Sequence, residues 1–267
     1  MSSELRDAYL DLMKKCLTRE LFAKNYREIP TNTKTFAKRM RQVAVDGSRA
    51  VLGPAGLEIV STRGPFGETM THMDSLIHVQ KCIEEIVKSE TPGDFIETGV
   101  WRGGMAIFMK AVLKAHGDTD RNVWVADSFE GLPKPDAKKY KADAGDTLWS
   151  HSLDVSMDAV TENFRRYGVL DDRIRFLKGF FEDTIPTAPV DRLALLRLDG
   201  DMYGSTMVVL KNLYPKLSVG GYVIVDDYAV VPACKQAVHD YRAEAGIKEP
   251  ICYFPQEPWD AHWRKES

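Results

Sequence analysis

Two apolar runs in this chain end in acids. "LALLRLDGDMYGST" carries Asp199 and Asp201, and "GGYVIVDDYAV" carries Asp226 and Asp227. Carboxylates that converge repel unless something positive lies among them. Asp199, Asp226 and Asp227 at the ends of adjacent strands suit a hard divalent cation with oxygen ligands, such as Mg²⁺. A hydroxyl beside such an ion becomes more acidic. Asp201, two residues past Asp199, is then the candidate general base. The plainer alternative is that Asp199 or Asp201 caps a helix beginning near Tyr203.

A second group lies upstream. In "IETGVWRGG", Gly99, Gly103 and Gly104 let the backbone approach a ligand and open a helix. Trp101 and Glu97 make this turn unsuited to a diphosphate, which argues against a nicotinamide-dependent oxidoreductase. Glu97 suits a cationic ligand, and Asp127, at the end of the next strand, suits a ribose diol. An acid at each of these two positions favours an adenosyl group carrying an amino acid, which describes S-adenosylmethionine. The alternatives are that Glu97 caps a helix and that Asp127 caps the turn "DSFEG".

These residues need a frame. Short apolar runs at 94–100, 122–128, 174–179, 193–199 and 221–227 alternate with helical patterns at 103–115, 156–167, 204–216 and 232–245. That alternation predicts an α/β fold whose parallel sheet is covered on both faces. In such a sheet ligands bind beyond the carboxyl ends of the strands, where the acids fall. The tail "PICYFPQEPWDAHWRK" could close the sheet as a hairpin. Helical spacing also marks the N-terminal "LRDAYLDLMKKCLTRELF" and "HMDSLIHVQKCIEEIVKSE". The segment 130–152 reads as a long polar loop, a kind that is often functional.

Bulk properties narrow the classes. A formal charge of −3 over 267 residues gives no basic field for nucleic acid. No apolar run reaches the roughly 20 residues that span a bilayer. The N-terminus shows no secretory h-region, so a cytoplasmic protein is expected. Cys16, Cys82, Cys234 and Cys252 lack metal-site spacing and read as reduced thiols.

The stretches "DFIETGVWRGGMAIFMKAVLKAHG", "VWVADSFEGLPKPD", "RFLKGFFEDTIPTAP" and "LRLDGDMYGSTMVVLKNLYPKLSVGGYVIVDDY" resemble the macrocin O-methyltransferase family. The resemblance runs from about Glu68 to the C-terminus. It implies a Rossmann-like class I methyltransferase fold with a mostly parallel seven-stranded sheet at 69–267, and an N-terminal helical extension at 1–68 that forms a lid. It implies a Mg²⁺- and S-adenosylmethionine-dependent enzyme that methylates a sugar hydroxyl of a macrolide or aminocoumarin antibiotic, and a homodimer. It assigns Glu97, Gly99, Asp127, Ser128 and Asp199 to the cofactor, with Ser156, Phe180 and Phe181 at the adenine. Asp199, Asp226 and Asp227 match the metal triad and Asp201 the base. A catechol-like acceptor and a non-catalytic cofactor-binding protein are the rival readings. His72 and His151 could border the site, and Trp101, Tyr203 and Tyr228 could line it, although packing explains the aromatic residues equally well.

Overall fold

A computed structural model describes residues 2–21, 27–28, 59–60, 67–147, 149, 153–254 and 257–267. Helix α1 (Ser3–Leu17) is followed by two-residue strands β1 (Arg27–Glu28) and β2 (Ile59–Val60). Then come α2 (Met73–Lys88), β3 (Asp94–Thr98), α3 (Gly104–His116), β4 (Val123–Asp127), α4 (Met157–Arg166) and β5 (Ile174–Lys178). The short α5 (Phe181–Thr184) precedes β6 (Leu193–Leu198), α6 (Tyr203–Leu213), β7 (Leu217–Val225), α7 (Pro232–Ala245), β8 (Cys252–Phe254) and β9 (Glu257–Arg264).

Seven strands form one sheet in the order β5-β4-β3-β6-β7-β9-β8. The pairs from β5 to β7 are parallel, and β9 runs antiparallel to both β7 and β8. The expected closing hairpin is therefore present. The α/β sheet expected from the alternating pattern is present as well, covered on both faces. Side chains alternate along each strand. Phe95 joins a core made with α1, α2, α3 and α4, while its neighbour Ile96 joins the opposite core made with α6 and α7.

The helix ends follow local chemistry. Gly103 (φ 83°) and Gly117 (φ 76°) bracket α3 in left-handed conformations. At its C-terminus Asp118 N–H reaches back to the Leu113 carbonyl at 3.0 Å, closing a Schellman turn. Pro232 begins α7 and Gly246 ends it. Gly168 (φ 67°) follows α4 as a left-handed stop.

Two boundaries of the alternating pattern differ from the sequence reading by three residues or more. Strand β7 begins at Leu217 rather than 221, because the register with β6 shifts between Leu193 and Leu195 and takes in the extra residues. Helix α6 ends at Leu213, and residues 214–216 tighten into a 3₁₀ turn with Pro215 inside it. Helix α1 packs Leu10, Met13 and Leu17 into the main core. The lid expectation falls mainly on 22–66, which lie outside the described residues apart from β1 and β2, as does His151.

Chain connections depart from β3 toward β4 on one side, while β6 lies on its other side. The carboxyl ends of β3 and β6 thus form the topological switch point, where open α/β sheets bind ligands.

Candidate active site

The first acid of the site stands at the switch point itself. Asp199 N–H donates to the Thr98 carbonyl at 2.9 Å, and Asp226 N–H to the Leu198 carbonyl at 2.9 Å. These two bonds extend the β3–β6–β7 ladder past the strand ends and bring the acids of β6 and β7 side by side. Gly99 (φ 89°) lies so close to Asp199 that a Cβ there would sit 1.7 Å from the Asp199 carbonyl oxygen. Only glycine fits this contact.

One oxygen each from Asp199, Asp226 and Asp227 lies within 4.8 Å of the others. Beneath them is the positive charge that the converging acids require. Arg197, 1% exposed at its side chain, donates Nη1 to Glu97 Oε1 and to Asp199 Oδ2, both at 2.7 Å. Its Nη2 pairs with Asp226 Oδ1 in a short contact and reaches Thr71 Oγ1 at 3.4 Å. Exposure rises upward through the cluster, from 2% for the Glu97 side chain to 24% for Asp226 and 30% for Asp199.

This arrangement sets the proton affinities. Burial pushes Glu97 up to about 8, while Arg197 pulls the other way. Burial and then the neighbouring Asp226 charge push Asp199 up to about 7, and burial raises Asp226 to about 6. Asp227 is raised as well, by burial first and by the surrounding acids second. Among the described residues these acids have one fixed guanidinium at their base. A divalent cation above would reverse the shifts, since an ion of that charge dominates local electrostatics.

Asp201 adopts a left-handed conformation (φ 57°) and donates its backbone N–H to Asp227 Oδ2 at 2.9 Å. It does not cap α6, and neither does Asp199. Asp143, 1% exposed, takes that role from the polar loop: its two oxygens accept Tyr203 N–H at 2.7 Å and Gly204 N–H at 2.9 Å. The caps at this turn are thereby supplied from elsewhere, which leaves the side chains of Asp199 and Asp201 on the wall of a cleft.

That cleft is open to solvent. Gly99, Trp101, Asp127, Ser128, Phe180, Phe181, Asp199 and Asp201 all contribute to its wall. Asp127 is held by Val100 N–H on Oδ2 and by Phe129 N–H on Oδ1, both at 2.7 Å. It therefore both caps the "DSFEG" turn and faces the cleft. Ser128 donates to the Gly131 carbonyl at 2.6 Å, which fixes the turn beside it. The Phe181 ring packs on Gly200, where a Cβ would lie 3.1 Å from the ring edge. Phe181 thus ties the β5 side of the cleft to the acid-bearing turn.

Two residues assigned to the cofactor are not on this wall. Glu97 points into the sheet interior and is engaged by Arg197, because Glu97 and Arg197 are direct partners in the β3–β6 register. Ser156 is exposed and serves as the N-cap of α4, its Oγ accepting Ala159 N–H at 3.3 Å. His72 is the N-cap residue of α2 and makes no side-chain capping bond. Tyr203 donates its hydroxyl to Asp240 at 3.1 Å, and Tyr228 pairs with His239 at 2.8 Å, so both are tied to α7. Sequence reasoning missed Arg197 and Asp143. The signal for the first was an arginine in the middle of an otherwise apolar strand, since a buried arginine demands anionic partners.

A family model described as Macrocin-O-methyltransferase (TylF) matches residues 6–265. The chain belongs to the macrocin O-methyltransferase family. As a member of that family it is an O-methyltransferase, and the match takes in α1 and the 22–66 segment as well as the sheet. Within the curated proteins it is 47% identical over 253 residues to 8-demethyl-8-(2,3-dimethoxy-alpha-L-rhamnosyl)-tetracenomycin-C 4'-O-methyltransferase of Streptomyces olivaceus, covering 94% of this chain and 90% of that one. It is 48% identical over 203 residues to mycinamicin III 3''-O-methyltransferase of Micromonospora griseorubida, covering 74% and 79%. Among solved structures, the O-methyltransferase NovP aligns with a TM-score of 0.80 at 39% identity, over 98% of this chain and 100% of that one. The calicheamicin methyltransferase CalS11 shares the fold, with a TM-score of 0.61 at 18% identity over 99% and 94%.

Proposed function

We propose that this O-methyltransferase transfers a methyl group from S-adenosylmethionine to a hydroxyl of a deoxysugar carried by a natural product of the antibiotic type, with Mg²⁺ held by Asp199, Asp226 and Asp227. The observation that carries the reading is a single cleft with Gly99 and Asp127 on one side and Asp199 and Asp201 on the other. By their names, one relative above methylates a rhamnosyl-bearing tetracenomycin at a 4'-oxygen and the other mycinamicin III at a 3''-oxygen; the first supports a glycosylated acceptor.

The donor set fits both groups. Asp127 offers a carboxylate at a strand end for a ribose, and Phe180 and Phe181 offer flat apolar surface for an adenine. Asp199, Asp226 and Asp227 present oxygen ligands, and each has one oxygen already engaged, by Arg197 or by Asp201 N–H. Glu97, Asp199, Asp226 and Asp260 act on one guanidinium, and Asp199, Asp201 and Asp226 act on Asp227 beside it, so the site favours added positive charge. S-adenosylmethionine, when bound, supplies a methyl on a cationic sulfur, and Mg²⁺, when bound, acidifies the acceptor hydroxyl.

The protein's own part is positioning and proton removal. Asp201 would take the acceptor hydroxyl's proton as that oxygen bonds the methyl carbon and the sulfur–methyl bond breaks, with S-adenosylhomocysteine as the leaving group. Its backbone, tied to Asp227, keeps that carboxylate at a fixed place relative to the acid triad. The cleft wall orients the two reactants in line. A homodimer and a cytoplasmic location belong to the same reading. Leu5 and Leu12, exposed one heptad apart on α1, give apolar surface for a partner copy, and among the described residues no helix is long and apolar enough to cross a membrane.

The test is methyl transfer from S-adenosylmethionine to a panel of rhamnosylated and other deoxysugar-bearing aglycones beside simple catechols. Methylation of a sugar hydroxyl, dependent on Asp201, is expected. Methylation of catechols alone would reassign the acceptor, and transfer undiminished in Asp201→Asn would remove the base from the mechanism.

A further inference from the structure

We infer that Arg197 is a positioning residue for the cation site: before any cation arrives it holds Asp199 and Asp226 side by side, each by one oxygen, and leaves their remaining oxygens to converge with Asp227. The inference rests on the divalent-cation reading of that triad and adds a residue to it.

The geometry carries the argument. Arg197 lies on the central strand β6, between β3 and β7. Its register partner on β3 is Glu97, so the two side chains share one face of the sheet. From that position the guanidinium fork spans three strand ends. Nη1 meets Glu97 and Asp199, and Nη2 meets Asp226. Glu97 anchors the fork from the buried side, where it is 2% exposed. Asp199 and Asp226 are held from below while 30% and 24% of their side-chain surfaces remain open above. A planar, always-charged fork can bridge two carboxylates at fixed separation, and an ammonium point charge cannot reproduce that span.

A second reading gives Arg197 a purely electrostatic place in the core, as a buried counter-ion. The two readings differ in sign. A positive charge beside a dication site repels the dication, so on Coulomb's law alone its removal tightens cation binding. If Arg197 holds the ligands in place, its removal weakens binding.

The experiment titrates Mn²⁺ into the full-length protein and counts free Mn²⁺ by electron paramagnetic resonance. It is run on wild type, Arg197→Met, Arg197→Lys and Glu97→Gln, each checked for cooperative unfolding. The inference expects Mn²⁺ affinity to fall by about 10-fold or more in Arg197→Met, the loss typical of removing a group that orients a ligand. Arg197→Lys keeps the charge and loses the fork. It is expected to weaken binding by at least about 3-fold, and it decides the question if Arg197→Met does not fold. Glu97→Gln leaves the fork on Asp199 and Asp226 and stays within about 3-fold of wild type. Unchanged or tighter Mn²⁺ binding in the Arg197 variants would overturn the inference and leave the cation site standing. No Mn²⁺ binding by wild type would overturn the cation reading itself, and the inference with it.

Discussion

The backbone N–H of Asp201 donates to the Asp227 carboxylate at 2.9 Å, joining the candidate base, which follows β6, to a candidate cation ligand just past the end of β7. This bond holds Asp201 at φ 57°, a conformation that Asp tolerates better than most residues but still at some cost. A conformation of that kind persists where surrounding contacts over-determine it, and here they do.

Replacing the base separates chemistry from binding. Asp201→Asn keeps the backbone bond to Asp227 and removes the proton acceptor. It is expected to lower kcat by about 10²-fold or more, with little change in the S-adenosylmethionine dissociation constant. Steady-state rates beside calorimetric titration check both halves.

The acid cluster gives a pH dependence of defined sign. Asp199 and Asp226 are raised to about 7 and about 6 from an ordinary 3.8. Between those values the folded protein binds more protons than the unfolded chain, so cation-free stability falls as pH rises through that window. Cation binding requires the ionised forms and strengthens in the same direction. The Tm gain on adding Mg²⁺ is therefore expected to grow from pH 5.5 to pH 8, as read by thermal melts at matched ionic strength. A gain that shrinks as pH rises would contradict the assignment.

Gly99 tolerates no side chain. Gly99→Ala would place a methyl 1.7 Å from the Asp199 carbonyl at φ 89°. The left-handed backbone alone costs about 1–3 kcal/mol, and the clash parts β3 from β6 at the switch point. Marked loss of stability, or no soluble protein, is expected in chemical denaturation.

Asp143 connects the polar loop to the acid-bearing turn. Asp143→Ala strips two N–H acceptors from the start of α6, a cap worth about 1–2 kcal/mol. Because α6 follows Asp201 directly, kcat is expected to fall along with stability. Asp143→Asn, which retains one acceptor, should lie between the two.

The legibility of this chain in its sequence follows physical lines. Strands β3 to β7 were readable because each is an apolar run set between helical periods, and a buried parallel strand has no other pattern. The acids were readable because two such runs end in them. Arg197 was overlooked because the pattern of β6 registers as apolar even with one charge in it, while what pairs with that charge depends on the β3–β6 register. The partner of Glu97 was hidden for the same reason: sequence gives its strand position, and only the register shows that Arg197 engages it. Asp143 caps a helix 60 residues away in the chain, a relation no local spacing encodes. Ser156 was legible only as a matched motif position, and the structure shows it as the N-cap of α4.

The most direct test of the central claim is calorimetric titration of S-adenosylmethionine into wild type and Asp127→Asn. The cleft at the β3–β6 switch point predicts one site of micromolar affinity, about −8 kcal/mol, weakened about 10-fold or more when the strand-end carboxylate is neutralised. No binding to wild type, or equal binding by both proteins, would contradict the assignment of this cleft to the methyl donor.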